Sequence, residues 1–102
     1  MNDLELISFQ IISAVGSARS NYINAIQEAK KGDFEEAQRL LSEGEELFVG
    51  GHQAHMQLLT KQANNEKLDF DLLLVHAEDQ MMSAESFKII AEEIIELYKK
   101  IL

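Results

Sequence analysis

Three long runs of apolar residues at spacings of three and four, with no proline anywhere to interrupt them, constrain this chain more than any other feature. That spacing is the period of an α-helix, and proline is the residue that would kink or end one. The first run extends from about Asp3 to Lys31. Leu4, Ile7, Ile11, Val15, Ala18, Tyr22, Ala25 and Ala29 fall on one side of it. Lys30 and Lys31 suit the negative end of a helix dipole, and Gly32 can terminate the helix.

Asp33 follows as an expected N-cap, and Glu36 three residues on completes a capping-box pattern. The second run places Phe34, Ala37, Leu41, Gly44, Phe48, Ala54, Leu58 and Ala63 on one side. Gly50-Gly51 lies inside it, and each glycine costs a helix roughly 1 kcal/mol. Because the apolar period resumes in phase after the pair, the expectation is one continuous helix whose small residues admit a close neighbour. The segment "ANNEKLD" is expected to be the loop that ends it.

The third run is expected from about Phe70 to Leu102. Its main seam is Phe70, Leu73, Ala77, Gln80, Ala84, Phe87, Ala91, Ile94, Tyr98 and Ile101, a coiled-coil-like period. Gln80 is the one polar member, the kind of residue that fixes register or oligomer state. Leu72, Leu74, Val75, Met81, Met82, Ile89, Ile90, Ile95 and Leu97 lie off that seam. A helix apolar on so many sides is buried on many sides, and two sister helices cannot enclose it. The expected fold class is therefore all-α: a single domain over residues 1–102, a three-helix antiparallel bundle that associates with copies of itself.

The chain of 102 residues carries 18 acidic against 9 basic residues, a formal charge of -9. That balance argues against nucleic acid and anionic membrane as partners, since both require positive charge. No apolar run is long enough to span a bilayer. The absence of cysteine excludes disulfides, thiolate metal sites and a cysteine nucleophile.

Chemistry concentrates in "VHAEDQMM", residues 75–82. On a helix His76 and Asp79 project within about 60° of each other, one turn apart. They belong to a stripe Leu72-His76-Asp79-Ser83, with Gln80 beside it. Imidazole is a nucleophile near neutral pH without prior deprotonation, because its ordinary pKa is about 6.5. It can carry a phosphoryl group as a covalent intermediate. The spacing leaves three uses open: a hydrogen-bonded interface pair, metal ligation, or covalent transfer. His55 shares the apolar side of the second run with Leu58 and Leu59, the setting of an interface residue, and His52 is expected to face solvent. Glu78, about 160° around the helix from His76, is expected to point away from it.

The stretch "LLLVHAEDQMMSAESFKIIAEEIIELYKKIL" resembles the third helix of the IIA components of the lactose/cellobiose class of the sugar phosphotransferase system, with their "VHAQDH-LM-T" type motif. "ISAVGSARSNYINAIQEAKKGDFEEA" and "AHMQLLTKQA" are similar to earlier parts of the same family, so the resemblance covers nearly the whole chain. It implies a cytoplasmic homotrimer, a parallel nine-helix bundle. It implies that His76 accepts a phosphoryl group from the phosphocarrier HPr and passes it to a cysteine of a IIB component, while sugar enters through a membrane IIC component. It further implies that Asp79 points to the trimer axis and holds a divalent cation such as magnesium, one per trimer. Gln80 is a supporting residue that departs from the family's second histidine, and Glu78 stands where glutamine is common. The competing readings are a non-catalytic helical adaptor and a histidine phosphotransfer domain of two-component signalling. Three segments rather than four count against the second.

Overall fold

A computed structural model describes residues 2–102. It contains three helices in the order α1 (Asp3–Lys30), α2 (Phe34–Ala63) and α3 (Leu72–Ile101). Each start is fixed by a side chain that accepts from an otherwise free backbone N–H. Asn2 Oδ1 accepts from Glu5 N at 2.8 Å, Asp33 Oδ1 from Glu36 N at 3.1 Å, and Asp71 Oδ1 from Leu74 N at 2.9 Å. Gly32, at φ 84°, makes the reversal between α1 and α2. The expected Asp33 cap is therefore present.

α3 begins later than its apolar phase predicts. Phe70 lies outside the helix and is 80% exposed. Its spacing to Leu73 imitates the seam, but Asp71 between them adopts an extended backbone and caps the helix. Capping by Asp71 thus outweighs the apolar period at this boundary.

α2 runs unbroken through Gly50-Gly51. The small residues have the expected use, though at two particular positions. A Cβ on Gly44 would lie 2.6 Å from Cε1 of Tyr22, and one on Gly51 would lie 2.7 Å from Cγ1 of Val15. α1 and α2 are therefore in close contact at both points. Ala63, expected on the apolar side, is exposed at the last residue of α2.

The core has two parts. At one end, Ile7, Ile11 and Val15 of α1 meet Ala54 and Leu58 of α2 and Leu74, Ala77 and Met81 of α3. At the other, Ala18, Tyr22 and Ala25 of α1 meet Ala37 and Leu41 of α2 and Ala91 and Ile95 of α3. The first half of α1 thus shares a layer with the last half of α2 and the first half of α3, so α2 runs antiparallel to the other two. α1 packs along both sister helices, whereas α2 and α3 meet sparingly. The molecule is a rod of 52 × 20 × 19 Å.

The face that α3 turns inward differs from the expected seam. Leu74, Ala77, Met81, Ala84, Ala91 and Ile95 are buried, whereas Leu73, Gln80, Phe87 and Ile94 are half-buried. Leu74, Met81 and Ile95, taken from the sequence as off-stripe, are core residues. The opposite side is apolar and uncovered: Leu72 (84% exposed), Met82 (60%), Ile89 (60%) and Leu97 (57%) stand in solvent. No helix among the described residues is long and apolar enough to cross a membrane.

Candidate phosphoryl-acceptor site

The Asp71 cap sets the first turn of α3, and His76 is the fifth residue of the helix that follows. It projects about 100° around the helix from Ala77 of the core face, and the imidazole is exposed. Asp79, one turn on, is exposed as well, while Gln80 and Ser83 are half-buried. Leu72, about 40° around the helix from the histidine, is exposed, as are Val75 and Met82 further round. His76 and Asp79, singled out from the sequence as a pair, therefore share one accessible face, with Gln80 at its margin.

Asp79 occupies the middle of the uncovered apolar side. At 100° per residue it lies within about 20° of Leu72, Ile90 and Leu97. A carboxylate in that setting is well hydrated in a single chain. It becomes costly only when another surface covers it, because desolvating an ion costs several kcal/mol. Among the described residues, no group of three or more His, Cys, Asp and Glu side chains is arranged within one chain to hold a metal.

Glu78 turns away from His76, as its wheel position predicts, and its destination is specific. His55 Nε2 of α2 lies 2.6 Å from Glu78 Oε1. The His55 side chain is 16% exposed and that of Glu78 42%. The pair closes one side of a recess of about 270 Å³ lined by Leu58, Leu59, Leu68, Phe70 and Leu74. His55 is thus an interface residue, as its position beside Leu58 implies. Intervals along one helix do not reveal the pairing. A signal for it exists: in an antiparallel hairpin, residues at similar distances from the loop face each other. His55 is eight positions before the last residue of α2, and Glu78 six after the first of α3.

His52 is exposed, as expected, at the edge of a recess of about 330 Å³ shared with Phe48, Glu85 and Ile89. Deeper on the same side, Lys88 of α3 forms an ion pair with Glu45 of α2.

An exposed imidazole on a rigid helix, bordered by adaptable apolar groups and with the nearest glutamate turned away, suits a nucleophile that larger partners must reach. It does not suit a small-molecule enzyme, whose reacting groups sit in a concave pocket.

The family model for the PTS system, Lactose/Cellobiose specific IIA subunit, matches residues 6–99. The chain is 43% identical over 99 residues to the lichenan-specific phosphotransferase enzyme IIA component of Bacillus subtilis (strain 168), covering 97% of this chain and 90% of that protein. Its structure is similar to the crystal structure of the PTS cellobiose-specific enzyme IIA from Bacillus anthracis, with a TM-score of 0.97 and 38% identity over 99% of this chain and 93% of that one. It is also similar to IIA(Chitobiose) in the solution structures of its complex with HPr, with a TM-score of 0.86 and 28% identity over 99% of this chain and 98% of that one. With three helices in matching positions and a family match along nearly its whole length, the chain belongs to the lactose/cellobiose-specific IIA subunit family of the sugar phosphotransferase system.

Proposed function

We propose that this IIA component works as a phosphocarrier in the cytoplasm, with His76 as the residue that carries the phosphoryl group. The observation that carries the reading is the placement of His76: exposed, at the edge of the uncovered side of α3 about 60° from Asp79, with Glu78 drawn off to His55. The donor is HPr in its phosphohistidine form, a partner in keeping with the HPr complex of the chitobiose relative. A ring nitrogen of His76 attacks phosphorus, the N–P bond to the donor imidazole breaks, and the electron pair returns to that donor ring. In the second step a thiolate of the IIB component attacks phosphorus, and His76 leaves as a neutral imidazole. Neither step needs a strong acid or base from this chain. What the chain supplies is a rigid helical mounting for in-line alignment. The sugar, a disaccharide or β-glucoside, is phosphorylated further along, by the IIB and membrane IIC components.

The working form we propose is a homotrimer, a nine-helix bundle in which the bare apolar side of α3 is covered by its copies. Asp79 lies in the middle of that side, so a three-fold axis there brings three carboxylates together. The donor set fits a hard, oxygen-preferring cation such as magnesium. One chain alone offers a single ligand, and symmetry completes the set. The cation, when bound, supplies charge neutralisation to the trimer interior. The transfer chemistry remains with His76.

The test is incubation with phosphoenolpyruvate, enzyme I and HPr, followed by mass spectrometry of intact protein and peptides. One acid-labile, base-stable phosphoryl group on the peptide containing His76, and none on His76→Gln, is the expected result. Phosphate uptake by His76→Gln overturns the assignment.

A further inference from the structure

We propose that His55 is a positioning residue for phosphoryl transfer: by holding Glu78 on the α2 side of α3, it fixes the rotation of the stretch that presents His76. The proposal rests on His76 as the phosphoryl acceptor and assigns a role to a residue outside that site.

Small residues make part of the contact that α3 forms with its sister helices near His76. Its inward face near His76 includes Ala77 and Ala84, both fully buried. Alanine makes a smooth contact surface, over which a helix can turn or slide with little change in packing. Two rows of larger residues flank these alanines: Leu74 and Met81 on one side, Leu73 and Phe87 on the other. Both rows are compatible with the sequence, and only the first is buried. A directional contact adds to the packing of Leu74 and Met81 in holding the first setting. α2 and α3 meet sparingly, so the few polar links between them carry unusual weight. Among the described residues there are two, His55–Glu78 and Glu45–Lys88. They stand ten residues apart on each helix, 45 to 55 and 78 to 88, about 15 Å along the rod. They therefore act as two rungs of one antiparallel register.

Directional polar contacts specify register where apolar contacts leave a choice, and the His55 side chain, 16% exposed, is the most buried of the four. The two rungs differ in what they can affect. Glu78 is two residues from His76, so a turn of the helix at that rung moves the imidazole directly. Lys88 is three turns further on. In-line transfer is sensitive to such movement: a displacement of about 1 Å can cost up to about 100-fold in rate. The rung also keeps the Glu78 carboxylate across the helix from the phosphoryl group.

The experiment compares the rungs. His55→Leu should fold, since leucine suits a recess lined by Leu58, Leu59 and Leu74, and the released Glu78 is solvated. Its rate of phosphoryl uptake from phospho-HPr should fall about fivefold or more. His55→Gln keeps a donor for Glu78 and should stay within about twofold of wild type. Lys88→Leu opens the distant rung and should also stay within about twofold, despite lowering the thermal midpoint. The His76 ring signals in ¹H–¹⁵N spectra of the unphosphorylated protein should shift in His55→Leu and hold still in Lys88→Leu. Wild-type uptake and unshifted signals in His55→Leu overturn the proposal, as does equal slowing by Lys88→Leu. Should His55→Leu not fold, Glu78→Leu opens the same rung from the other helix and is read by the same criteria. If wild-type protein takes no phosphoryl group on His76, the functional reading has failed. The spectra, which need no transfer, still decide whether His55 sets the position of His76.

Discussion

Gly44 and Tyr22 are fitted to one another: the ring of Tyr22 lies where a side chain on Gly44 would be, 2.6 Å from an ideal Cβ at Cε1 and 3.0 Å at Cδ1. Tyr22 is the largest fully buried side chain of the fold. Gly51 has the same relation to Val15, whose branched side chain is stiff in a helix. Gly50, next in sequence, faces open space. The glycines of α2 therefore have opposite meanings for stability.

Gly50→Ala should stabilise the protein by about 0.5–1 kcal/mol, the helix-propensity gain alone. Gly44→Ala and Gly51→Ala gain the same propensity, but each forces a methyl group against packed atoms, which typically costs about 1–3 kcal/mol. Their net effect should be destabilising by about 1–2 kcal/mol. Thermal or denaturant unfolding of the three variants checks the signs. A stabilised Gly44→Ala protein would show that Tyr22 has room to move.

Tyr22 carries a second prediction. Its hydroxyl is buried without a hydrogen-bond partner. Burial, reinforced by the carboxylates of Glu45 and Glu92, pushes its pKa up from 10.0 to about 12. The folded state therefore resists an ionisation that the unfolded chain undergoes freely. This contribution leaves stability untouched below about pH 10. It lowers stability as pH rises from there toward about 12, by up to roughly 2–3 kcal/mol. Tyr22→Phe should match or slightly exceed wild type at neutral pH, since the missing hydroxyl made no bond. It should lose less stability than wild type between about pH 9 and pH 11.5. Parallel denaturant titrations at the two pH values test this, because ionisation of lysines is common to both proteins. Equal losses in the two would mean that Tyr22 is not the group responsible.

Asp79 offers a third. If copies of α3 cover one another around a three-fold axis, three carboxylates meet where water is scarce, and a shared cation relieves their repulsion. Treatment with a chelator should loosen the wild-type assembly. Asp79→Leu should retain it without any metal and gain thermal stability, because apolar groups replace a cluster of charges. Sedimentation of both proteins, with and without chelator, provides the check. A monomeric Asp79→Leu protein would mean that the metal, and not the apolar side of α3, holds the assembly together.

The sequence by itself determined what depends on neighbours along the chain. Helix period, the Asp33 cap, the reversal at Gly32 and the continuity of α2 through Gly50-Gly51 are local properties, set by intervals of three or four residues. The polar stripe with His76 and Asp79 on one face was legible for the same reason, since a helix fixes the angle between residues a turn apart. That Glu78 points away from His76 followed from that angle too. Tertiary structure decided what depends on the partner of a face. Ala77, Ala84 and Ala91 fit both candidate seams of α3, so the one-residue choice between Leu73 and Leu74, or Ile94 and Ile95, could come only from contact with α1 and α2. The meeting of His55 and Glu78 is of the same kind. They are 23 residues apart in sequence, and no local interval connects them. Only the antiparallel register of α2 against α3 brings an imidazole and a carboxylate to hydrogen-bonding distance.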